Sequence, residues 1–366
     1  MAKPAQNQKT IIYDLDLDDL ENVFTAWGEP SYRARQVWQG LYQQFWENTQ
    51  EFSMLSAKLR ARLDETFLIT PLRPIRTLES SDRQTVKTLF ELVDGLAIET
   101  VLMRYDERRT LCISTQVGCG MGCVFCATGQ MGFKRHLSSG EIVAQVAHFA
   151  RILHQQGEKV TNVVVMGMGE PFHNYEATLK AIDRLNHPDG MNLGERRFTI
   201  STVGLIPTIQ RFTREKRQIN LAISLHASEN ELRSSMLPVN KKYPVKELIE
   251  ACREYVAVTG RRITFEWALI QGVNDSVGEA RSLSKLLKGL LCHVNIIPLN
   301  PTRLFDGKST TRERAQVFKN TLESTGIPCT IRIRRGIDIQ AGCGQLASQR
   351  QNENSDQGRA ATKITE

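Results

Sequence analysis

The sequence predicts an α/β protein, a full or partial barrel of parallel strands alternating with helices, preceded by a small helical domain. Three observations predict it. Between about residues 111 and 336, short apolar runs of strand length alternate with stretches of helical periodicity. Glycines and polar residues gather at the ends of those runs, where a barrel carries its chemistry. Ahead of them, residues 11–70 show helical spacing with no strand rhythm.

Within residues 11–70, Asp16-Leu17-Asp18-Asp19-Leu20-Glu21 supplies acidic groups suited to a helix N-terminus. Tyr32, Val37, Trp38, Leu41, Tyr42 and Phe45 then recur at roughly helical intervals. Pro71 and Pro74 close this region, so a helical accessory domain is expected over residues 1–75. Residues 86–102 alternate as a hairpin does, with Asp94-Gly95 at the turn, which gives a β-hairpin extension over 76–104. The barrel and a C-terminal cysteine loop follow over 105–346. Its strands are expected at 111–115, 162–166, 197–202, 219–225, 263–269, 293–299 and 329–334. Helices are expected at 142–153, 177–185, 245–255 and 283–290, the first of them opened by Ser138-Ser139 and Glu141. The tail over 347–366 is polar and poor in apolar residues, and is expected to be disordered.

The 366 residues, 41% hydrophobic and 24% charged, have the composition of an ordinary soluble protein. No apolar run reaches 18 residues, which excludes a spanning helix, and the polar N-terminus lacks a signal core. A cytoplasmic location is expected. Lys and Arg exceed Asp and Glu by 47 to 40, a balance suited to a polyanionic partner. Basic residues cluster at Arg104–Arg108–Arg109, Lys134–Arg135, Arg196–Arg197, Lys241–Lys242, Arg261–Arg262 and Arg332–Arg334–Arg335. Any one cluster reads as solvated charge. The whole set is compatible with a nucleic-acid surface.

Four of the eight cysteines, Cys112, Cys119, Cys123 and Cys126, fall within fifteen residues. A chain of this size does not need disulfides, so the clustering points to metal or redox work. In Cys119-Gly120-Met121-Gly122-Cys123-Val124-Phe125-Cys126, three thiolates on one short loop can hold three corners of a [4Fe–4S] cluster and leave the fourth iron open. The alternative is a structural zinc site, which prefers four closed ligands in two separated pairs. Cys112 supplies a fourth ligand by count, but it falls inside an expected strand. Spacing and barrel position favour the cluster. Cys343, between two glycines, reads either as a mobile reactive thiol or as an incidental surface one. Cys112 can be a small buried hydrophobe, and Cys252, Cys292 and Cys329 read as packing residues.

The CxxxCxxC spacing with an aromatic residue before the last cysteine resembles the signature of the radical S-adenosylmethionine (SAM) enzymes. The resemblance implies a partial (β/α)6-type barrel, with SAM chelated to the open iron. It also implies a SAM site at the strand ends carrying Gly169, Glu170, Ser201, Ser224, Leu225, His226 and Asn300. Alone, each of these residues is ordinary. A narrower resemblance, over residues 86–346, is to the RlmN/Cfr family of RNA adenine methyltransferases. It rests on Glu99-Thr100-Val101, the step from Cys112 to Cys119, Gly169-Glu170-Pro171, Ser224-Leu225-His226 and Cys343-Gly344-Gln345-Leu346. The helical N-terminal part is similar to the accessory domain of that family. Pro171 stands where Cfr-type members carry alanine, which points to the RlmN branch and to adenine C2 rather than C8. Gly342 stands where alanine is commoner, a departure expected to be tolerated.

What the resemblance implies for mechanism is specific. Cys343 takes a methyl group from one SAM; a radical made from a second SAM removes a hydrogen from it, and the resulting carbon adds to the adenine. Glu99 is then the implied base and Cys112 the implied thiol that frees the product, leaving a Cys112–Cys343 disulfide. The implied partners are 23S rRNA, an anticodon-adjacent adenosine of tRNA and a flavodoxin-like electron donor, with a monomeric enzyme. Arg33, Arg35, Lys58, Arg60 and Arg62 are candidates to grip structured RNA. Competing readings are a Cfr-type C8 methyltransferase conferring antibiotic resistance, a zinc-stabilised RNA-binding protein, and radical chemistry on a small molecule.

Overall fold

In the computed structural model, which describes residues 9–332 and 335–346, the acidic run near the N-terminus does cap a helix. Asp16 accepts from the Asp19 amide and Asp19 returns the bond, a capping box that starts α1 (Leu17–Ala26). Two further helices, α2 (Ser31–Tyr42) and α3 (Ala57–Thr66), complete the N-terminal unit. A short parallel pair, β1 (Thr10–Ile11) with β2 (Phe67–Leu68), ties its ends together. Val37, Trp38, Leu41 and Tyr42 form the buried face of α2, as their spacing requires. Tyr32 departs from the expected stripe and is 51% exposed. Phe45 lies beyond the helix, in a left-handed conformation at φ 57°. The unit docks through Asp14, whose carboxylate accepts from Ser139 Oγ and the Gly140 amide at the start of a barrel helix.

Next comes an antiparallel ribbon of β3 (Arg73–Glu79), β4 (Thr85–Glu91), β5 (Ala97–Arg104) and β6 (Arg109–Cys112). The expected hairpin is β4–β5, turning through Gly95. Strand β3 was not foreseen, and the division expected at residue 75 falls inside it. Pro74 suggested a break, yet proline is tolerated on an edge strand, and β3 is the edge of the sheet with a register shift at Pro74/Arg76.

After β6 the chain leaves the sheet for a small ribbon, β7 (Gln116–Gly118) with β8 (Phe133–His136), with the one-turn α4 (Ala127–Gln130) between them. The cysteine loop thus follows β7 rather than the first barrel strand. Regular pairing ends at Cys112, although Ile113 and Thr115 still donate to Val164 O and Met168 O. Six βα units make up the barrel wall. Helix α5 (Ser139–Gln155) starts at Ser138 with the expected Glu141 capping box and leads to β9 (Asn162–Val165). Then come α6 (Tyr175–Asn186), β10 (Phe198–Thr202), α7 (Ile206–Glu215), β11 (Asn220–Ser224), α8 (Asn230–Met236) and α9 (Val245–Thr259). Strand β12 (Ile263–Leu269), α10 (Val277–Leu287), β13 (Cys292–Pro298), α11 (Arg312–Glu323) and β14 (Cys329–Ile331) complete the chain of units.

The strands β6, β9, β10, β11, β12, β13 and β14 run parallel, in that order, and continue through β5 and β4 to β3 as one ten-stranded sheet. One apolar cluster runs from Leu20 and Trp38 through the strands to Phe318, so the N-terminal unit and barrel share a core. Among the described residues no helix is long and apolar enough to cross a membrane. Arg334 and the tail over 347–366 lie outside the described residues.

Candidate active site

The cysteine loop is held at three points. The Cys119 amide donates to Gly132 O, the Val124 amide to Met236 O at the end of α8, and the Cys126 amide to Cys123 O. Gly118, at φ 71°, allows the entry: a Cβ there would fall 1.8 Å from Gly132 O. All three sulfur-bearing residues, Cys119, Cys123 and Cys126, border one open-mouthed chamber. Burial pushes the Cys119 thiol up to about 12 and holds Cys123 and Cys126 above the usual range. Such thiols become thiolates only with a strong local positive charge, which bound iron supplies. Among the described residues no three Cys, His, Asp or Glu converge on a single ion. Three soft sulfur donors spread around a chamber fit three corners of a cluster.

The strand-end residues face the same space. Gly169, Glu170, Ser201, Ser224, His226 and Asn300 all line the chamber. Gly169 sits at φ 102°, where a Cβ would come within 2.5 Å of Gln116 Cβ, and the next amide, Glu170, donates to Gln116 Oε1. The Glu170 carboxylate accepts from the Phe172 and Val203 amides, which aim it across the mouth of β10. Burial pushes it up to about 7. His226, at φ 60°, accepts at Nδ1 from the Ala268 amide, so Nε2 carries the proton. Burial, then the nearby Arg233, push it down to about 3, which keeps the imidazole neutral. Leu225 does not line the chamber. It is fully buried in the core and donates its amide to Glu266 O, setting the spacing of its two neighbours.

Two chamber residues escaped the sequence reading. Glu266 lines the wall beside Ser224, accepts from Asn295 Nδ2, and is pushed up to about 6 by burial. A lone carboxylate inside the apolar run Ile263–Leu269 was the signal available. Arg332 entered only as part of a basic cluster.

A pH dependence follows from the two carboxylates. Each has a folded value above the ordinary 4.5, so the native state holds protons the unfolded chain has released. Their stabilising contribution is full below 4.5 and is lost as pH rises through about 7. In urea unfolding of cluster-free protein, the wild type is expected to lose a few kcal/mol against a Glu170→Gln/Glu266→Gln double variant across that window, at roughly 1.4 kcal/mol for each tenfold difference in proton affinity. Parallel pH profiles of the two proteins would contradict it.

The C-terminal loop is more restrained than the glycines around Cys343 suggested. Cys343 is half-buried. Gly344 O accepts from the Ala127 amide, Leu346 O from Thr128 Oγ1, and Cys343 O from Asn300 Nδ2. Gln345 Nε2 donates to Pro301 O, and Lys87 Nζ to Gln340 O. A methyl group at Gly342 would lie 2.5 Å from Asn300 Nδ2, so alanine there requires that amide to shift. Cys343 borders the main chamber and also a smaller cavity that Cys112 lines too. Arg332 NH1 donates to Cys343 Sγ at 3.2 Å, and Arg332 also lines both spaces. Burial first, and Cys343 second, push the Cys112 thiol up to about 12.

Glu99 is 2% exposed and pairs with Lys87 Nζ at 3.2 Å. It does not line the smaller cavity. It lies on the face of β5 shared with Val101, which does line the cavity and stands opposite Cys112. Cys252, Cys292 and Cys329 are buried in the core. Of the N-terminal basic residues, Lys58 is exposed and Arg35 pairs with Glu21. Arg33, Arg60 and Arg62 each donate to a main-chain carbonyl.

Comparison with known proteins bears on the family and the fold. Residues 113–283 match the radical SAM superfamily, and residues 11–69 match the ribosomal RNA large subunit methyltransferase N-terminal domain. The dual-specificity RNA methyltransferase RlmN 1 of Myxococcus xanthus is 47% identical over 335 residues, covering 92% of this chain and 93% of the relative. The crystal structure of a radical SAM methyltransferase from Sphaerobacter thermophilus superimposes with a TM-score of 0.91 at 51% identity, over 93% of this chain and all of that one.

Proposed function

The chain belongs to the RlmN family of radical SAM RNA methyltransferases, and on that premise we propose that it methylates C2 of adenosine in 23S rRNA and in tRNA through Cys343. One observation carries the reading. Cys343 is the cysteine that borders both the chamber of the three-cysteine loop and the cavity of Cys112. A sulfur at that boundary can take a methyl group on one side and deliver it on the other.

Cys119, Cys123 and Cys126 hold the [4Fe–4S] cluster in this reading. Gly169, Glu170, Ser201, Ser224, His226 and Asn300 hold SAM, with Leu225 contributing through its main chain. The chemistry supplied by these bound groups is an electrophilic methyl and a one-electron cleavage giving a hydrogen-abstracting radical. Adenine C2 lies between two ring nitrogens and is electron-poor, so it does not attack an electrophilic methyl directly. The Cys343 sulfur does, by displacement, and becomes a thioether. After that methyl loses one hydrogen atom, its carbon bonds to C2 and joins protein to RNA. Glu99 removes the C2 proton as general base, and the adduct gives up its unpaired electron to the oxidised cluster that supplied one at the start of the cycle. The Cys112 thiolate then attacks the Cys343 sulfur, which breaks the carbon–sulfur bond and leaves a Cys112–Cys343 disulfide, while the released carbon keeps the bonding pair and takes up a proton to become the methyl group of the product. A flavodoxin-like donor reduces the disulfide and delivers the electron each cycle needs.

The target base must leave its stack to enter the chamber, as in other enzymes that act on a nucleobase. We infer a monomeric cytoplasmic enzyme, acting where its RNA substrates reside. Anaerobic incubation of reconstituted protein with SAM, reductant, a 23S rRNA fragment and a tRNA pool tests the assignment. Digestion and mass spectrometry are expected to show 2-methyladenosine in both RNAs. 8-Methyladenosine would transfer the chain to C8 chemistry, and unmodified RNA beside active SAM cleavage would refute the RNA assignment.

A further inference from the structure

Arg233, on α8, is a charged side chain with no exposed surface at all. Burying a guanidinium is costly, and a buried one ordinarily faces a carboxylate. Here every hydrogen-bond partner is neutral. Nε donates to Leu225 O, NH1 to Asn240 Oδ1, and NH2 to both Val203 O and Ser224 O. Among the described residues Arg233 forms no ion pair with a carboxylate. Its hydrogen bonds are satisfied while its charge is not.

The location says what could balance that charge. Val203 and Ser224, whose carbonyls it holds, line the chamber at the ends of β10 and β11. One turn further along the chain, Met236 O accepts from the Val124 amide inside the cysteine loop. Cys123 packs with Met236 and Leu237 in one apolar cluster. Burial lowers Arg233 to about 10, which leaves it cationic at neutral pH, and the Cys123 and His226 side chains both feel it as a positive neighbour. A [4Fe–4S] cluster held by three thiolates is anionic, and accepting an electron adds another negative charge.

We propose that Arg233 is the built-in counter-cation of the cluster, raising its reduction potential by charge while it fixes the SAM-facing ends of β10 and β11. The proposal rests on the three-cysteine loop holding a [4Fe–4S] cluster. Fields act strongly in a buried site, and cluster potentials are set in part by the surrounding charge. Arg233 is thus a positioning and tuning residue rather than one that touches substrate.

The test is an anaerobic redox titration followed by electron paramagnetic resonance, on full-length reconstituted protein without RNA. Wild type, Arg233→Lys and Arg233→Met are compared at matched iron and sulfide content. The methionine variant is expected to hold about tenfold less reduced cluster at a given potential, a downward shift of about 59 mV for one electron. Lysine keeps the charge and loses most of the carbonyl bonds, so it is expected to restore most of the potential. Where Arg233→Met fails to load, Asn240→Asp decides the matter, because it leaves Arg233 in place and sets a carboxylate against NH1; it is expected to shift the potential in the same direction. An unshifted potential in a loaded Arg233→Met or Asn240→Asp protein overturns the proposal. Equal shifts for lysine and methionine also overturn it, by showing a packing effect. Failure of the wild type to assemble a cluster would instead refute the reading of the cysteine loop.

Discussion

Cys343→Ala is expected to abolish RNA methylation, by on the order of 10⁴-fold or more, while leaving SAM cleavage at the cluster. The size of the effect follows from position. The other chamber thiols, Cys119, Cys123 and Cys126, do not border the cavity that holds Cys112, and Cys112 does not border the chamber. Met166 also lines both spaces, but its thioether cannot form the disulfide, and among the described residues no other thiol lines both. The loop is fixed there by bonds through Gly344, Gln345 and Leu346 that do not involve the thiol, so alanine should leave the site assembled. Mass spectrometry of digested RNA, run beside chromatography of 5′-deoxyadenosine, checks both halves. Residual methylation within tenfold of wild type would remove Cys343 from the reaction path.

The second large effect is expected at Cys112. In Cys112→Ala the methyl carbon still reaches adenine, but nothing attacks the Cys343 sulfur to release it. Turnover is expected to fall on the order of 10³-fold, and a covalent protein–RNA species should accumulate on denaturing gels. Cys112 sits on the last residue of β6, opposite Val101, with its side chain in the cavity that Cys343 lines. Loss of turnover without any covalent species would indicate a packing role for Cys112.

What the sequence disclosed depended on range. The cysteine loop is local: three ligands, their spacing and the flanking glycines sit within nine residues, so the motif could be read in one dimension. The strand-end groups were legible because a barrel repeats, and each repeat delivers its last residues to one rim. Glu99 is different. From composition alone it reads as a surface carboxylate on a strand; it is buried because β4 places Lys87 beside it, a pairing that depends on sheet register. Arg233 and Arg332 look like ordinary basic residues in sequence, and only the packing of α8 and the C-terminal loop gives them meaning. Strand β3 is not legible in the sequence because Pro74 reads as a breaker, and only the sheet order makes its strand an edge that tolerates proline. The mobility expected of the Cys343 loop was overridden by long-range bonds to Asn300, Pro301 and Lys87.

The central claim is that the methyl carbon passes through a thioether on Cys343 and loses a hydrogen there. Methyl-trideuterated SAM tests it most directly, with the 2-methyladenosine product analysed by mass spectrometry. The account predicts a methyl group carrying two deuterium atoms, with the third recovered in 5′-deoxyadenosine. A product that keeps all three deuterium atoms would mean direct methyl transfer, and would contradict the account.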